Sequence, residues 1–317
     1  MPDDCIPRKV RALINPRSGP YFYRREVLNY LHAEWDRDGI EFDHQESENP
    51  SDGKAKALQA AADGVDTLLV CGGDGIVNTV GAELIGSDIA LGVIPLGSGN
   101  GFARHFGIPM HPRQACRSLK NGVRKRIDVG IASGRPFFVT CGLAWEAELV
   151  KGYEQMLIRG TFSYVFSGLL RFFMFKPQDH HLIVDGEHED IRRPLLLTIA
   201  NLTQYGGGAR IAPRARHDDG VLKLIAIQHQ DALKQLPQIY RLFDGTIESM
   251  SGIRTWDFRT LVVERERAEA IQVDGELHEV EKDFMVEVLP QSLEVIVPSS
   301  VPQHRRFWPL ATGINHK

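Results

Sequence analysis

Residues 65–78 read Val-Asp-Thr-Leu-Leu-Val-Cys-Gly-Gly-Asp-Gly-Ile-Val-Asn, and the fold can be worked out from this stretch. The apolar run at residues 65–70 has the length and continuity of a strand that is buried on both faces. A glycine-rich turn follows, and the apolar spacing of a helix begins after it. A buried strand that leads through a glycine turn into a helix is the building unit of a parallel α/β sheet.

The same alternation continues on both sides of this stretch. Strands are predicted over residues 9–15, 40–44, 65–70 and 90–94. Helices are predicted between them: one runs to Gly39, the next is capped by Ser51 or Asp52, and others begin after Gly75 and Asn100. The first part of the chain is therefore predicted to be an α/β domain.

From about residue 128 the pattern becomes mostly β. Strands are predicted to pair around the turns Ser133-Gly134 and Asp185-Gly186. Further strands are predicted over residues 221–227, 254–263, 270–273, 284–289 and 293–297, and helices over 157–175 and 231–243. We therefore expect two domains, residues 1–127 and 128–302, with the active-site cleft between them.

The composition is that of an ordinary globular protein, with 317 residues, a formal net charge of -4 at pH 7 and 43% hydrophobic residues. This charge creates no field that would attract nucleic acid, so no nucleic-acid partner is expected. The four cysteines lie far apart without disulfide or metal-finger spacing, which favours a reducing, cytoplasmic compartment. The N-terminus lacks the pattern of a signal peptide, and Arg159 and Arg171 interrupt the apolar segment 157–175, so no membrane-spanning helix is predicted.

Three glycine-rich turns follow three strands of the first domain, at residues 15–19, 72–78 and 95–104. The carboxyl ends of parallel strands share one edge of a sheet, so the turns can converge on one ligand. Glycines let the backbone approach phosphate oxygens, and the N-termini of the helices that follow would face that charge. The hydrogen-bonding side chains on these turns are Asn15, Ser18, Asn78 and Ser98. The pattern predicts a nucleotide site.

Asp74 is the unusual member of these turns, because a carboxylate would repel a phosphate. A bound Mg2+ would remove the conflict, since this cation takes carboxylate and phosphate oxygens together. The chain has neither the P-loop motif nor the protein-kinase signatures. Any use of ATP must therefore rest on another fold.

As a set, these motifs resemble the diacylglycerol kinase catalytic-domain family, which includes bacterial lipid kinases, sphingosine kinases and ceramide kinases. The resemblance rests on Asn-Pro-x-Ser-Gly at 15–19, Gly-Gly-Asp-Gly at 72–75, Pro-Leu-Gly-Ser-Gly-Asn at 95–100, Asp-Asp-Gly-Val-Leu at 218–222 and Asp-Gly-Glu at 274–276. The motifs follow the family's order and spacing. Gly-Gly-Asp-Gly alone would also fit the distantly related NAD kinases.

The resemblance implies an α/β nucleotide-binding domain with a parallel, NAD-kinase-like sheet, followed by a mostly-β C-terminal sandwich domain. It also implies that the chain end, residues 303–317, returns to the first domain. The implied reaction is the ATP- and Mg2+-dependent phosphorylation of a lipid hydroxyl. By position, the residues that would hold ATP are Asn15, Ser18, Ser47, Gly72, Gly73, Asp74, Gly75, Ile76, Val77, Asn78 and Ser98.

Two positions depart from the family's pattern, since Ile76 stands where Thr is usual and Gly101 where Asp is common. Sphingoid and ceramide kinases share the Gly-Ser-Gly-Asn form, so diacylglycerol, ceramide and a sphingoid base all stay open as acceptors. The resemblance further implies a structural Mg2+ held by Asp219 and the backbone carbonyls of Arg216 and Val221. A capped turn is the alternative for that loop.

The tetrapeptide Val-Asp-Gly-Glu occurs twice, at residues 184–187 and 273–276. The first copy lies between alternating strand residues and is predicted to be a hairpin turn. The second could be a hairpin turn by composition, but the resemblance places it at the active site. We therefore expect Glu276 to be the general base, Asp274 its partner or substitute, and Asp74 the third catalytic carboxylate.

The expected partners are a lipid substrate and, peripherally, the inner face of a membrane; the oligomeric state is not predicted. The segment 157–175 suits either the core or a bilayer interface. The basic loop of Arg210, Arg214 and Arg216 suits either solvent or anionic lipid, and residues 205–208 suit either close approach to a ligand or a bulge. Two alternatives to a lipid kinase are a NAD kinase and a catalytically silent lipid-binding or regulatory protein on the same fold.

Overall fold

The structure is a computed structural model that describes residues 7–19, 21–36, 39–144, 177–228, 236–238 and 240–299. Its α-helices are α1 (Tyr21–Trp35), α2 (Pro50–Ala62), α3 (Asp74–Ala82), α4 (Gly101–His105), α5 (Pro112–Lys120) and α6 (Arg241–Asp244). Short 3-10 turns occur at Leu236–Gln238 and Ile247–Ser249. Within these ranges, no helix has the length and apolar character needed to span a bilayer.

The first domain is built on parallel strands. They are β1 (Lys9–Ile14), β2 (Glu41–Glu46), β3 (Thr67–Gly72) and β4 (Ala90–Pro95), in the order β2-β1-β3-β4. Every residue of β3 and β4 is buried, as continuous apolar runs predict. The predicted α/β architecture of this part is confirmed.

One predicted cap is wrong. Helix α2 begins at Pro50, and the side chain of Asn49 caps it by accepting a hydrogen bond from the Asp52 amide at 3.0 Å. Proline suits the first position of a helix because its missing N–H would have no partner there. Ser51 and Asp52 therefore lie inside the first turn.

The second part is a sandwich of two β-sheets. Its strands are β5 (Val123–Ala132), β6 (Arg135–Phe137), β7 (Thr140–Gly142), β8 (His180–Val184), β9 (Glu187–Ile191), β10 (Pro194–Ala200), β11 (Gln204–Gly206), β12 (Ala209–Arg210), β13 (Leu222–Gln228), β14 (Ile253–Phe258), β15 (Thr260–Arg265), β16 (Ile271–Val273), β17 (Glu276–His278) and β18 (Phe284–Val297). One sheet has the order β14-β13-β10-β7-β16-β17, and it packs against strands β5, β8, β15 and β18 across a shared apolar core. The predicted sandwich is confirmed.

Two strand predictions need correction. Residues 254–263 form two strands in different sheets, because the chain turns at Arg259, where the Asp185 carboxylate accepts the amides of Arg259 and Thr260 at 3.0 and 2.8 Å. Residues 284–289 and 293–297 form one strand, β18, with an irregularity between them. The buried Asp128 carboxylate accepts the Gln291 amide there, at 2.8 Å.

Strand β18 links the two parts of the chain. It pairs with β5 along most of its length, with β15 on its other side, and Val295 lies beside Leu91 of β4. The proposed boundary at residue 127 falls inside β5 and stays a prediction. The tail 303–317, the segment 157–175 and residues 231–235 and 239 lie outside the described residues.

Candidate active site

The three glycine-rich turns of the first domain meet at the carboxyl edge of its sheet. A Cβ built on Gly97 would lie only 2.5 Å from the Cα of Gly73, so the two turns touch backbone to backbone. The first turn joins them through the Asn15 amide, which donates to the Cys71 carbonyl at 3.0 Å, and through Gly19, whose Cβ would lie 3.5 Å from the Leu96 carbonyl. A side chain at Gly73 or Gly97 would force the turns apart.

Asp74 is the first residue of α3, and its carboxylate caps another helix. Its oxygens accept the amides of Gly101 and Phe102 at 2.9 and 3.1 Å, at the start of α4. Burial raises the pKa of Asp74, although these amides and the charge of Arg104 oppose the rise. The expectation that the first amides of α4 face a phosphate is therefore wrong for these two, and α3 begins at Asp74 rather than after Gly75.

Asn100 organises the third turn, a role that its place in the 95–100 motif does not by itself predict. Its backbone is left-handed, with φ 52°, and its side chain accepts from the Gly97 amide at 2.9 Å and donates to the Gly97 carbonyl at 2.7 Å. Asparagine tolerates this conformation better than most residues do. An asparagine that follows Gly-Ser-Gly is the signal that could have found it.

The side chains predicted to contact ATP differ in their exposure and in the hydrogen bonds that they already make. Ser98 is exposed on its turn, and Asn15 accepts the Arg17 amide at 2.9 Å within its own turn. Ser18 is half-buried near Gly72, whose Cβ would lie 3.5 Å from the Ser18 hydroxyl. Ser47 is 2% exposed and donates to the Asn49 carbonyl at 3.2 Å, so its hydroxyl already has a partner.

The side chains of Ile76 and Val77 are buried in the core of the first domain, so only their backbone can reach a ligand. Ile76 also explains the glycine at 72, because a Cβ on Gly72 would lie 2.2 Å from the Ile76 Cγ2 atom. Ile76 therefore supports the glycine turn from beneath.

Asp274 is a buried carboxylate that joins the two domains. It lies in the turn between β16 and β17, with φ 47°, and is 8% exposed. Its oxygens accept four N–H groups, the side-chain amide of Asn78 at 2.9 Å and the backbone amides of Phe138, Val139 and Thr140 at 2.8, 2.8 and 3.0 Å. Burial raises its pKa to about 6, against the opposing effect of these hydrogen bonds.

Asn78 is therefore engaged inside the protein. Its amide donates to Asp274 and, at 2.8 Å, to the Pro136 carbonyl. This contact fastens α3 to the second domain. The predicted ATP contact through that amide nitrogen has no support in this arrangement.

Glu276 reaches the glycine turn from the second domain. It is the first residue of β17, and a Cβ built on Gly75 would lie 2.6 Å from its Oε1 atom. The absence of a side chain at Gly75, the residue that follows Asp74, therefore makes room for the Glu276 carboxylate. The structure thus brings the Asp-Gly-Glu and Gly-Gly-Asp-Gly motifs together.

The first Val-Asp-Gly-Glu copy lies elsewhere, in the hairpin between β8 and β9 at the edge of its sheet. Asp185, Gly186 and Glu187 are all exposed. The second copy is also a two-residue hairpin, between β16 and β17. A hairpin turn and an active-site motif are therefore compatible readings of residues 273–276.

The loop predicted to hold a structural Mg2+ is closed by its own hydrogen bonds. The Asp219 carboxylate accepts the Val221 amide at 3.3 Å, and the Gly220 amide donates to Asp128 at 2.7 Å. Arg216 donates to Asp218 at 3.4 Å. In the part of the chain that the structure describes, no three His, Cys, Asp or Glu side chains lie close enough to form a metal cluster, and metal binding by this loop stays a prediction.

The glycines of residues 206–208 form the tip of the β11–β12 hairpin, with φ values of 115°, 60° and 94°. The Gly207 amide donates to the Gly99 carbonyl at 3.2 Å, and the same carbonyl accepts from Arg104 Nε at 3.0 Å. A second-domain hairpin therefore lies directly on the third glycine turn.

Comparison with known proteins identifies the two parts of the chain. Residues 9–132 match the diacylglycerol kinase catalytic domain, and residues 140–297 match the YegS C-terminal NAD kinase beta sandwich-like domain. A protein of Chromohalobacter salexigens named "Probable lipid kinase YegS-like" is 31% identical over 257 residues, which cover 78% of this chain and 81% of the relative. The chain belongs to the diacylglycerol kinase catalytic-domain family.

Other relatives support the same membership. A protein of Mycobacterium tuberculosis named "Diacylglycerol kinase" is 29% identical over 263 residues, which cover 81% of this chain and 85% of that one. A crystal structure of a diacylglycerol kinase from Bacillus anthracis str. Sterne has the same fold, with a TM-score of 0.73 and 21% identity over 92% of this chain and 97% of that one. As a member of this family the chain is a lipid kinase, a phosphotransferase with an alcohol group as acceptor.

Proposed function

We propose that this lipid kinase transfers the γ-phosphoryl group of ATP, with Mg2+, to the hydroxyl of a lipid alcohol in the cleft between its two domains. The observation that carries the proposal is the meeting of Glu276 with the Gly-Gly-Asp-Gly turn, where Gly75 leaves space for the carboxylate. Phosphoryl transfer depends on positioning and electrostatic stabilisation. A carboxylate that faces a glycine-rich turn from the other domain can contribute to the positioning and to the electrostatic stabilisation.

Glu276 is the better candidate for the general base. The carboxylate of Asp274 already accepts four N–H groups and is buried, so it has little capacity to reach an acceptor hydroxyl. Glu276 is exposed at the cleft. In this proposal Glu276 takes the proton of the lipid hydroxyl as the bond to phosphorus forms, and Asp274 holds the hairpin that presents Glu276.

The backbone of the three turns would bind the phosphates. Gly72, Gly73, Gly75 and Ser98 lie at the edge where the strands end, and the contact between Gly73 and Gly97 leaves no place for a Cβ. Asn15 and Ser18 lie on the neighbouring turn. Because glycine has no side chain, the backbone amides at such positions can approach an anion closely.

The carboxylates present are suited to Mg2+. This ion is commonly bound by one or two carboxylates together with substrate phosphates rather than by a complete protein cage. Asp74 is the residue that would hold it, and a Cβ built on Gly99 of the third turn would lie 3.2 Å from Asp74 Oδ2. When bound, Mg2+ would neutralise the charge of the phosphates. A cation would also keep Asp74 ionised despite its burial.

The decisive experiment incubates the purified protein with γ-labelled ATP, Mg2+ and separate acceptors: diacylglycerol, ceramide, a sphingoid base and NAD. We expect the label to enter one or more of the lipid alcohols and not NAD. Omission of Mg2+ is the matched control and should abolish the transfer. Label in NAD alone would contradict the proposal, and the absence of label in every lipid would do so as well.

A further inference from the structure

An exposed aromatic pair lies at the start of α6, in the second domain. Tyr240 is the N-cap residue of α6 and Phe243 lies within it; they are 50% and 58% exposed and are three positions apart on one helical turn, so they share one face. Leu242 packs on the other side, in a small apolar cluster with residues that include Ile211. Within the described ranges, the other large apolar side chains that are exposed are Leu58, Val123 and Met285, and none is aromatic.

This aromatic pair is linked to the third glycine turn through the β11–β12 hairpin. The Arg210 guanidinium donates to the Phe243 carbonyl at 2.9 Å. Arg210 belongs to β12, the strand that leaves the hairpin tip at Gly207, whose amide donates to the Gly99 carbonyl. Helix α6 therefore contacts the hairpin that lies on the third glycine turn.

Two exposed arginines flank this region. The side chains of Arg214 and Arg216 are 80% and 68% exposed. Each lies 3.4 Å from a carboxylate, Glu248 for Arg214 and Asp218 for Arg216, so the local field is close to neutral. Apolar insertion must therefore be the main driving force for any docking here, with arginine contacts to phosphate groups as a smaller addition.

We propose that Tyr240 and Phe243 insert into the surface of a lipid bilayer and dock the enzyme over its substrate. The inference rests on the proposed function, because the hydroxyl of a lipid alcohol lies at headgroup level while its chains stay in the bilayer. Aromatic side chains and long basic side chains are well suited to that boundary. Insertion of this pair would bring the glycine hairpin toward the membrane surface, where the acceptor hydroxyl lies.

The test measures co-sedimentation with vesicles of phosphatidylcholine and phosphatidylglycerol, without ATP or acceptor. The double variant Tyr240→Ser, Phe243→Ser is compared with Leu58→Ser, which removes a side chain of similar exposure, 55%, from α2. We expect the double variant to partition at least ~10-fold less than the unchanged protein, because two apolar side chains no longer leave water. Leu58→Ser should bind normally. Equal binding by the double variant would overturn the proposal.

Kinase rates separate this inference from the proposed function. The double variant should keep its rate on a water-soluble short-chain diacylglycerol and lose it on the same lipid class in vesicles. Equal losses on both substrates, with vesicle binding unchanged, would overturn docking by this pair. So would a loss of self-association in the double variant without loss of vesicle binding, since a second copy would then cover the pair. If the unchanged protein phosphorylates no lipid alcohol, the proposed function fails, while the sedimentation result still decides the docking.

Discussion

The two Val-Asp-Gly-Glu copies have the same sequence and the same local conformation. The aspartates have φ values of 48° and 47° at residues 185 and 274, and the glycines that follow have 91° and 88°. Both turns join antiparallel strands through two residues, as Asp-Gly pairs are suited to do. Their surroundings differ. Asp185 is exposed, whereas Asp274 is buried among four N–H donors and places Glu276 against the glycine turn.

This comparison teaches that four residues are enough to specify a turn but not its use. The donors that surround Asp274 come from residues that lie between 134 and 196 positions away in the chain. The donors around Asp185 are the amides of Arg259 and Thr260, which lie 74 and 75 positions away, where the chain turns between β14 and β15. The function of each copy is therefore decided by what the rest of the fold packs against it.

The largest expected difference is in catalysis. We expect Glu276→Gln to lower the kinase rate by ~10²- to 10⁴-fold while ATP binding survives, because a general base is lost and the shape is kept. Glu187→Gln, the matched change in the first copy, should leave the rate unchanged. Steady-state rates measure this, with Tm as the control for folding. The assignment is wrong if Glu187→Gln is the folded, inactive variant.

The second-largest difference that we expect between the two copies is in how their aspartates make stability depend on pH. Burial raises the pKa of Asp274 to about 6, above the value of about 3.9 in an unfolded chain. The stability that comes from this raised pKa is fully present below about pH 4 and is lost as the pH rises through about 6. Between those limits we expect up to about 3 kcal/mol to be lost from the free energy of unfolding.

Urea unfolding at a series of pH values checks this expectation. Asp274→Asn has no carboxyl group to titrate, so its stability should lack that decline with rising pH. Parallel curves for the two proteins would show that Asp274 keeps an ordinary pKa in the fold.

A smaller effect is expected at Gly75, the glycine that makes room for Glu276. In Gly75→Ala the new methyl group would meet Glu276 Oε1 at 2.6 Å, so the carboxylate must move. We expect a ~10- to 100-fold lower rate, since misplacement of a catalytic group can cost up to about 10²-fold. In the Glu276→Gln background the same change should add little further loss. Full additivity of the two losses would argue that Gly75 acts through something other than Glu276.

The smallest effect is expected at Asp185. Burial opposes ionisation of Asp185, but the amides of Thr260 and Arg259, the Thr260 hydroxyl and the charge of Arg259 together lower its pKa. Its contribution to stability is therefore present above its unfolded pKa and lost as the pH falls, opposite in direction to Asp274. Asp185→Asn should cost no more than about 1 kcal/mol at neutral pH, because the site is exposed. Chemical denaturation measures it, and a cost larger than that of Asp274→Asn would reverse the comparison.

The fold class could be predicted from the sequence because its signals are local. Buried strands such as β3 are continuous apolar runs, and the glycine turns follow them directly along the chain. The hydrogen-bond partners of the site could not be predicted in this way. Asp74 accepts amides 27 and 28 residues further along the chain, and no periodicity marks Gly101 or Phe102 as its donors.

For two motif residues the sequence predicts a contact with the ligand, whereas the fold uses their side chains. Asn78 has the chemistry of a phosphate contact, yet its amide fastens α3 to Asp274. Ile76 occupies a motif position, yet it packs beneath Gly72. A motif fixes which residues gather at a site, while burial decides which of their side chains can meet a ligand.

The placement of β18 has a consequence for how the chain is made. Its residues near Val295 pack in the core of the first domain, beside β4, although they are synthesised about 200 residues after that strand. A ribosome that has released only the first 132 residues has therefore exposed an unfinished sheet edge, which is a site for pairing with other chains. Such distant contacts also slow folding. A shortened chain that ends before Phe284 should therefore aggregate during synthesis rather than yield a separate nucleotide-binding domain.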